Sequence, residues 1–226
     1  NSALTGIGDA PAPRPRVILV HHPEAVQSVI LAGHVIAPFD ATASTELSVM
    51  NAVFGGTFES RINMNLREDK SWSYGVRSSI NQNRSGDQYL AVAGSVQSDK
   101  TMESMREIMK EYQEFLSTRP ATETEVGRIR LNMTRSLPGL FATNRGFLGS
   151  MMASGSYGLP LDYAELRGER LAAITTDGVN QRAQSVIDPD NLTWLIVGDL
   201  EQIEEKVRSL GYGDVEVWDA FGVRLR

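Results

Sequence analysis

The stretch "LREDKSWSYGVRSSI", residues 66–80, changes its period midway, and the fold turns on that change. Leading into it, Phe58, Ile62 and Leu66 recur every fourth residue, the spacing of one helix face, so a short helix is predicted to end near Arg67. From Trp72 the period is two, and Trp72, Tyr74, Val76 and Ile80 are predicted to share one face of a strand. After the turn-prone "NQNRSGD", Leu90, Val92 and Val96 line a second strand, which makes the pair an antiparallel hairpin. Arg67 and Tyr74 stand seven apart across this helix-to-strand junction, although neither is needed to build it.

Upstream, Leu47, Met50 and Phe54 recur at three- and four-residue steps, predicting a helix over about 42–54, capped by Asp40 or Thr42 and stopped at Gly55 and Gly56. Before it, "VILVHHPEAVQSVILAGHVI", residues 17–36, reads as two strands joined at His22, Pro23 and Glu24, a second hairpin. Residues 1–15 are rich in Gly and Pro without a hydrophobic period and read as an extended linker, with a single domain over 16–226.

Downstream, Met102, Met105, Met109, Tyr112 and Leu116 form one helical stripe, which at this spacing reads as core. Thr122 and Glu125 form a capping-box pattern ahead of Val126, Ile129, Met133 and Leu137, and Pro138 with Gly139 is expected to close that helix. Helical patterns follow around 144–154, 161–171 and 176–187, with "GSYGLP", residues 155–160, as a loop of no assigned role. "LTWLIVG", residues 192–198, reads as a buried strand, Asp199 as the cap of a helix with Ile203, Val207 and Leu210 inward, and Val215 with Val217 as a short last strand. Strands paired through hairpins, with helices gathered elsewhere, predict an α+β fold: a mostly antiparallel sheet covered on one face.

Composition narrows the function. The net charge of −6 over 226 residues, with no basic run, argues against nucleic acid as a partner. No apolar run approaches the ~18 residues of a membrane span, so none is expected. Without cysteine there are no disulfides and no thiolate metal sites. His21 and His22 are adjacent on a strand and point to opposite faces, and neither they nor His34 have the spacing of a zinc motif, so no metal site is expected in this chain. "HHPE" is read as polar turn residues and "VFGGTF" as a helix stop, since it lacks a phosphate loop's lysine. No nucleophile elbow is present. Arg67 and Tyr74 remain. A cation is favoured at a helix C-terminus and Tyr suits a strand, so each has a structural account. The functional account is that Arg offers fixed donors to a carbonyl, while a tyrosine hydroxyl can donate to the oxyanion formed when an amide is attacked.

Residues 51–80, "NAVFGGTFESRINMNLREDKSWSYGVRSSI", resemble the signature of the second, non-zinc half of insulinase/pitrilysin-type metallopeptidases, the family that includes mitochondrial processing peptidase. The order of elements is shared: a helix ending in Gly-Gly, a Phe, a Ser-Arg, a Leu-Arg-Glu, then a Tyr-Gly opening a strand. The resemblance implies the processing-peptidase-like metallohydrolase fold over residues 16–218, with Arg67 and Tyr74 as the pair that binds substrate and stabilises the transition state. It also implies a division of labour. Zinc and the water-activating Glu would come from a partner half bearing H-x-x-E-H, in the same longer chain or a separate subunit, while this half, inert alone and without a cofactor of its own, would close over an extended peptide. The alternatives are a non-catalytic structural subunit or a peptide-binding module of the same fold. The resemblance further implies a bacterial periplasmic or envelope setting.

Overall fold

The computed structural model describes residues 12–82, 86–160 and 162–226. Most of the predicted linker, residues 1–11, lies outside them. Six strands form one mixed sheet: β1 (Arg16–His21), β2 (Gln27–Ile36), β3 (Ser73–Asn81), β4 (Gln88–Gln97), β5 (Thr193–Gly198) and β6 (Asp214–Trp218), in the spatial order β3-β4-β2-β5-β1-β6. Three of its pairings are antiparallel, β3 with β4, β4 with β2 and β2 with β5, whereas β1 runs parallel to both β5 and β6. The helices are α1 (Ser44–Asn51), α2 (Arg61–Asn63), α3 (Thr101–Phe115), α4 (Glu123–Phe141), α5 (Asn144–Tyr157), α6 (Arg167–Ala173), α7 (Thr176–Val186) and α8 (Leu200–Arg208).

The predicted α+β class holds, and the alternation of the strands explains why helices gather on one face. Ile30 and Ala32 of β2, Leu90 and Val92 of β4, and Trp194 and Ile196 of β5 are sealed against the helices, while Val29, Leu31, Val35 and Tyr89 point to the opposite face and are exposed. Met105, Ile108, Tyr112 and Phe115 of α3 complete the same core, and Phe54 packs edge-on against Tyr112 at 4.8 Å between ring centres. Of the methionine stripe, Met105 is buried in this core and Met109 packs against it half-buried, whereas Met102 is half-buried outside it.

One predicted pairing is wrong. β1 and β2 do not form a hairpin; β5 lies between them, parallel to the first and antiparallel to the second. β5 carries apolar side chains on both faces, Trp194 and Ile196 on one and Leu195 and Val197 on the other, which suits a central place in a sheet, but β1 and β2 are apolar on both faces as well, so local composition does not distinguish a hairpin from an inserted strand. The turn at His22–Ala25, with Glu24 at a positive φ of 56°, therefore spans a missing strand rather than closing a ladder.

Several boundaries also move. Neither Asp40 nor Thr42 caps α1; the Asp40 carboxylate instead accepts from the Thr42 amide and hydroxyl at 2.8 and 2.7 Å, and those bonds hold its carboxyl below the usual range. Pro138 does not end α4, which continues to Phe141: a proline forfeits one bond, from its own nitrogen, and this late in an exposed helix the loss is tolerated. The loop predicted at 155–160 starts later, because α5 runs to Tyr157 and is closed by Gly158 in the left-handed conformation, φ 62°. The 161–171 pattern forms a helix only from Arg167. By contrast the Thr122–Glu125 capping box is present in both directions, and the Asp199 side chain caps α8 by accepting from the Glu201 amide at 3.3 Å.

Candidate functional site

The two helices that lead into the 66–80 stretch end in widened, π-helical turns. α1 continues as one through Ala52–Gly56, and α2 through Met64–Asp69. The second contains Arg67, with the Lys70 amide reaching back to the Asn65 carbonyl at 3.0 Å and the Trp72 amide to Leu66 at 3.0 Å. Such turns insert an extra residue and so re-aim the side chains that follow.

The corner is stitched to β3, an edge strand of the sheet. Asn63, fully buried, accepts from the Val76 amide at 3.2 Å and donates to the Phe58 carbonyl at 2.7 Å, which covers the exposed edge of the strand with a side chain. Ser78 donates to Asn51 Oδ1 at 2.7 Å. The π turn lies so close to the strand that a Cβ on Gly55 would sit 2.5 Å from Ser78 Oγ and 2.8 Å from its backbone nitrogen, so only glycine fits. At its other end α2 is clamped by Arg61, whose guanidinium forks onto Glu125 at 2.8 and 2.7 Å, also reaches the carbonyls of Arg119 and Pro120, and lies over the Phe115 ring. Burial pushes the Glu125 carboxyl up, but the bonds from Arg61 and Thr122 and the charge of Arg61 outweigh it and leave the group below its ordinary 4.5.

Arg67 and Tyr74, predicted as a pair, are brought together, though not ring to guanidinium. Arg67 Nη1 donates to the Tyr74 main-chain carbonyl at 3.0 Å, its Nε pairs with Glu68 at 3.1 Å, and its guanidinium lies 4.6 Å from the centre of the Phe58 ring. Tyr74 is 88% exposed, and its hydroxyl bonds to none of the described residues. The strand face predicted for it is a correction. A β-bulge between Ser73 and Val76 adds one residue against β4, so the alternation slips, Val76 is buried and Tyr74 swings into solvent.

Sequence reasoning placed Phe58 on a helix face and gave Arg77 no role. Phe58 instead sits in the turn ahead of α2, half exposed, with Arg67 on the ring at 4.6 Å and Arg77 at 5.6 Å. Arg77 pairs in register with Ala93, which places it on the sheet face away from the core. It makes no ion pair or hydrogen bond with the described residues, and its Nη1 is buried without a partner; burial, and then the charge of Arg67, depress its pKa. The only forward signal was its position three residues beyond Tyr74 on an otherwise neutral strand.

Two of the three histidines have side-chain partners: His21 Nδ1 accepts from the Leu200 amide at 3.1 Å at the start of α8, and His34 is buried with Nε2 2.9 Å from the Val186 carbonyl, where desolvation lowers its pKa. Among the described residues no three His, Cys, Asp or Glu side chains are grouped as metal ligands, and no helix is long and apolar enough to cross a membrane. A concavity of about 460 Å³ lies between α1, α4, α5 and α6, lined by residues such as Phe39, Tyr157 and Arg170 and by neither Arg67 nor Tyr74.

The fold is shared with solved peptidase domains. The structure of a peptidase M16 inactive domain from Pseudomonas fluorescens superposes with a TM-score of 0.78 at 20% identity, covering 87% of this chain and 47% of that one. A protease from Helicobacter pylori gives 0.73 at 14%, covering 84% and 46%, and the periplasmic protease PqqL from Escherichia coli 0.68 at 16%, covering 83% and 21%. This chain thus spans less than half the length of each. No curated protein sequence matches it significantly. The profile described as "Peptidase M16 inactive domain" matches residues 7–133, more than half of the sequence, and the chain belongs to that family.

Proposed function

We propose that this domain is the substrate-holding half of a zinc-dependent peptidase, gripping an extended peptide with Arg67 and Tyr74 while a zinc-bearing half, fused or separate, supplies the metal and the base. The observation that carries the reading is the bond from Arg67 to the Tyr74 carbonyl, which fixes the two residues side by side and, among the described residues, leaves the exposed tyrosine hydroxyl and Arg67 Nη2 without a hydrogen-bond partner. Two unspent donors on a rigid corner can serve a peptide carbonyl in the ground state and its oxyanion in the transition state. When bound in the partner half, zinc would supply Lewis acidity and an activated water. This chain's residues orient the peptide, and Tyr74 donates its proton to the hydrogen bond without giving it up. A periplasmic or envelope setting is in keeping with the Escherichia coli neighbour.

The test is kinetic, on the domain combined with its zinc-bearing half. Tyr74→Phe removes one hydroxyl and is expected to lower kcat by roughly 10²-fold. Arg67→Lys keeps the charge but loses the fork, so both KM and kcat should suffer. Wild-type kinetics in both variants would leave the scaffold reading, in which the fold holds other subunits and handles no peptide.

A further inference from the structure

Among the described residues, Arg77 is a cation without an anion. Two guanidinium groups, Arg67 and Arg77, flank one phenyl ring, and the single carboxylate bonded to either is Glu68, on Arg67. Among the described residues the corner thus carries an uncompensated positive charge, and one of its nitrogens, Arg77 Nη1, is buried with nothing to donate to. A buried donor left unpaired is costly, and a protein that retains one gains where a ligand completes it. The strand neighbours of Arg77 supply no acid: Ala93 lies opposite it, and Ser79 and Asn81 follow it along the same face of β3.

Resting on the peptide-holding role of Arg67 and Tyr74, we infer that Arg77 is a specificity-determining residue that receives a carboxylate of the bound peptide, the side chain of an Asp or Glu. Guanidinium and carboxylate match as a fork on a fork, and the Phe58 ring holds the guanidinium plane in place while shielding the pair from water. The spacing sets the position of the acid. Arg77 is three residues from Tyr74 on a strand that rises about 3.3 Å per residue, shortened by the bulge, so an extended peptide held at Tyr74 meets Arg77 two or three residues away. The Asn63 side chain already occupies the Val76 amide, so the peptide lies across the face of this corner rather than adding to β3 as another strand.

The experiment is a binding titration of the whole domain with extended peptides in which one Gln is replaced by Glu at each position in turn. Each peptide is made with a free and an amidated C-terminus, and the nitrogen-15 signals of Arg67 and Arg77 Nε are followed together with affinity. The expected result is that Glu at one or two adjacent positions tightens binding by about tenfold over Gln, shifts the Arg77 signal, and does so with either chain end. In Arg77→Met, which should fold normally because the side chain it replaces has no polar partner, the preference should fall to about twofold or less while the Gln peptides bind as before; Arg77→Lys should keep part of it. Equal affinity for Glu and Gln peptides, or a preference that survives Arg77→Met, overturns the assignment and leaves peptide binding standing. A gain that follows the free C-terminus instead of the Glu overturns the side-chain assignment in favour of a chain-end pocket. Failure of every peptide, the Gln series included, overturns the peptide-holding reading itself and this inference with it.

Discussion

Arg61 and Arg67 sit at opposite ends of one interrupted helix, and the protein uses them in opposite ways. Arg61 is 8% exposed and its donors are taken up by Glu125, Arg119 and Pro120. Arg67 is 37% exposed, bonds one carbonyl and one glutamate, and keeps donors in reserve. The first fixes where the helix lies. The second inherits that position, so its spare donors are aimed without any cost of ordering at the moment a ligand arrives, which is what a binding corner requires.

Three measurements would break or sharpen this contrast. The largest effect is expected for Arg61→Ala, which strands the half-buried Glu125 carboxylate and two carbonyls: chemical denaturation should show a loss of about 2–4 kcal/mol, between the limits for exposed and buried pairs. A loss near zero would mean that α2 is held by Asn63 alone. An intermediate effect is expected from pH. The Glu125 carboxyl titrates below its ordinary value when folded, so the unfolded chain takes up the proton first; the pair's contribution is complete above about 4.5 and fades as pH falls through the folded pKa. Melting curves from pH 6 to 3 should therefore fall less steeply for Glu125→Gln than for the wild type, and parallel curves would remove Glu125 from the acid response. The smallest effect is expected for Arg67→Ala, within about 1 kcal/mol of wild-type stability, because its partners remain solvated when it is gone. A larger loss would make Arg67 a second clamp and weaken the case that its donors are held for a ligand.

The helices and strands around this corner could be read from residue patterns, because Leu47, Met50 and Ile62, or Leu90, Val92 and Val96, each report a local period that burial then enforces. Arg67 and Tyr74 could be located by resemblance, and the fold brings them together. What escaped was everything that depends on one residue more or one strand further. A bulge between Ser73 and Val76 inverts the face of Tyr74, the late start of α2 at Arg61 leaves Phe58 in a turn off the helical stripe, and neither leaves a mark in hydrophobic periodicity. The pairing of β1 escaped for a longer-range reason: residues 29–31 and 195–197 are both apolar on two faces, and the choice between them as its neighbour is made only in three dimensions. Arg77 was invisible because an unpaired guanidinium is defined by what is absent around it.

The insertion of β5 between β1 and β2 governs the order in which the chain can assemble. β2, β3 and β4 can pair among themselves once residue 97 has left the ribosome, but Arg16–His21 has only β5 and β6 as neighbours and must wait, unladdered, for residues 193–218. The closure of so long a loop is entropically slow, and β1 exposes Val17, Ile18 and Leu19 throughout that delay. In that order of assembly this domain would have half its sheet built while β1 is still bare, the point at which a chaperone would find most to hold.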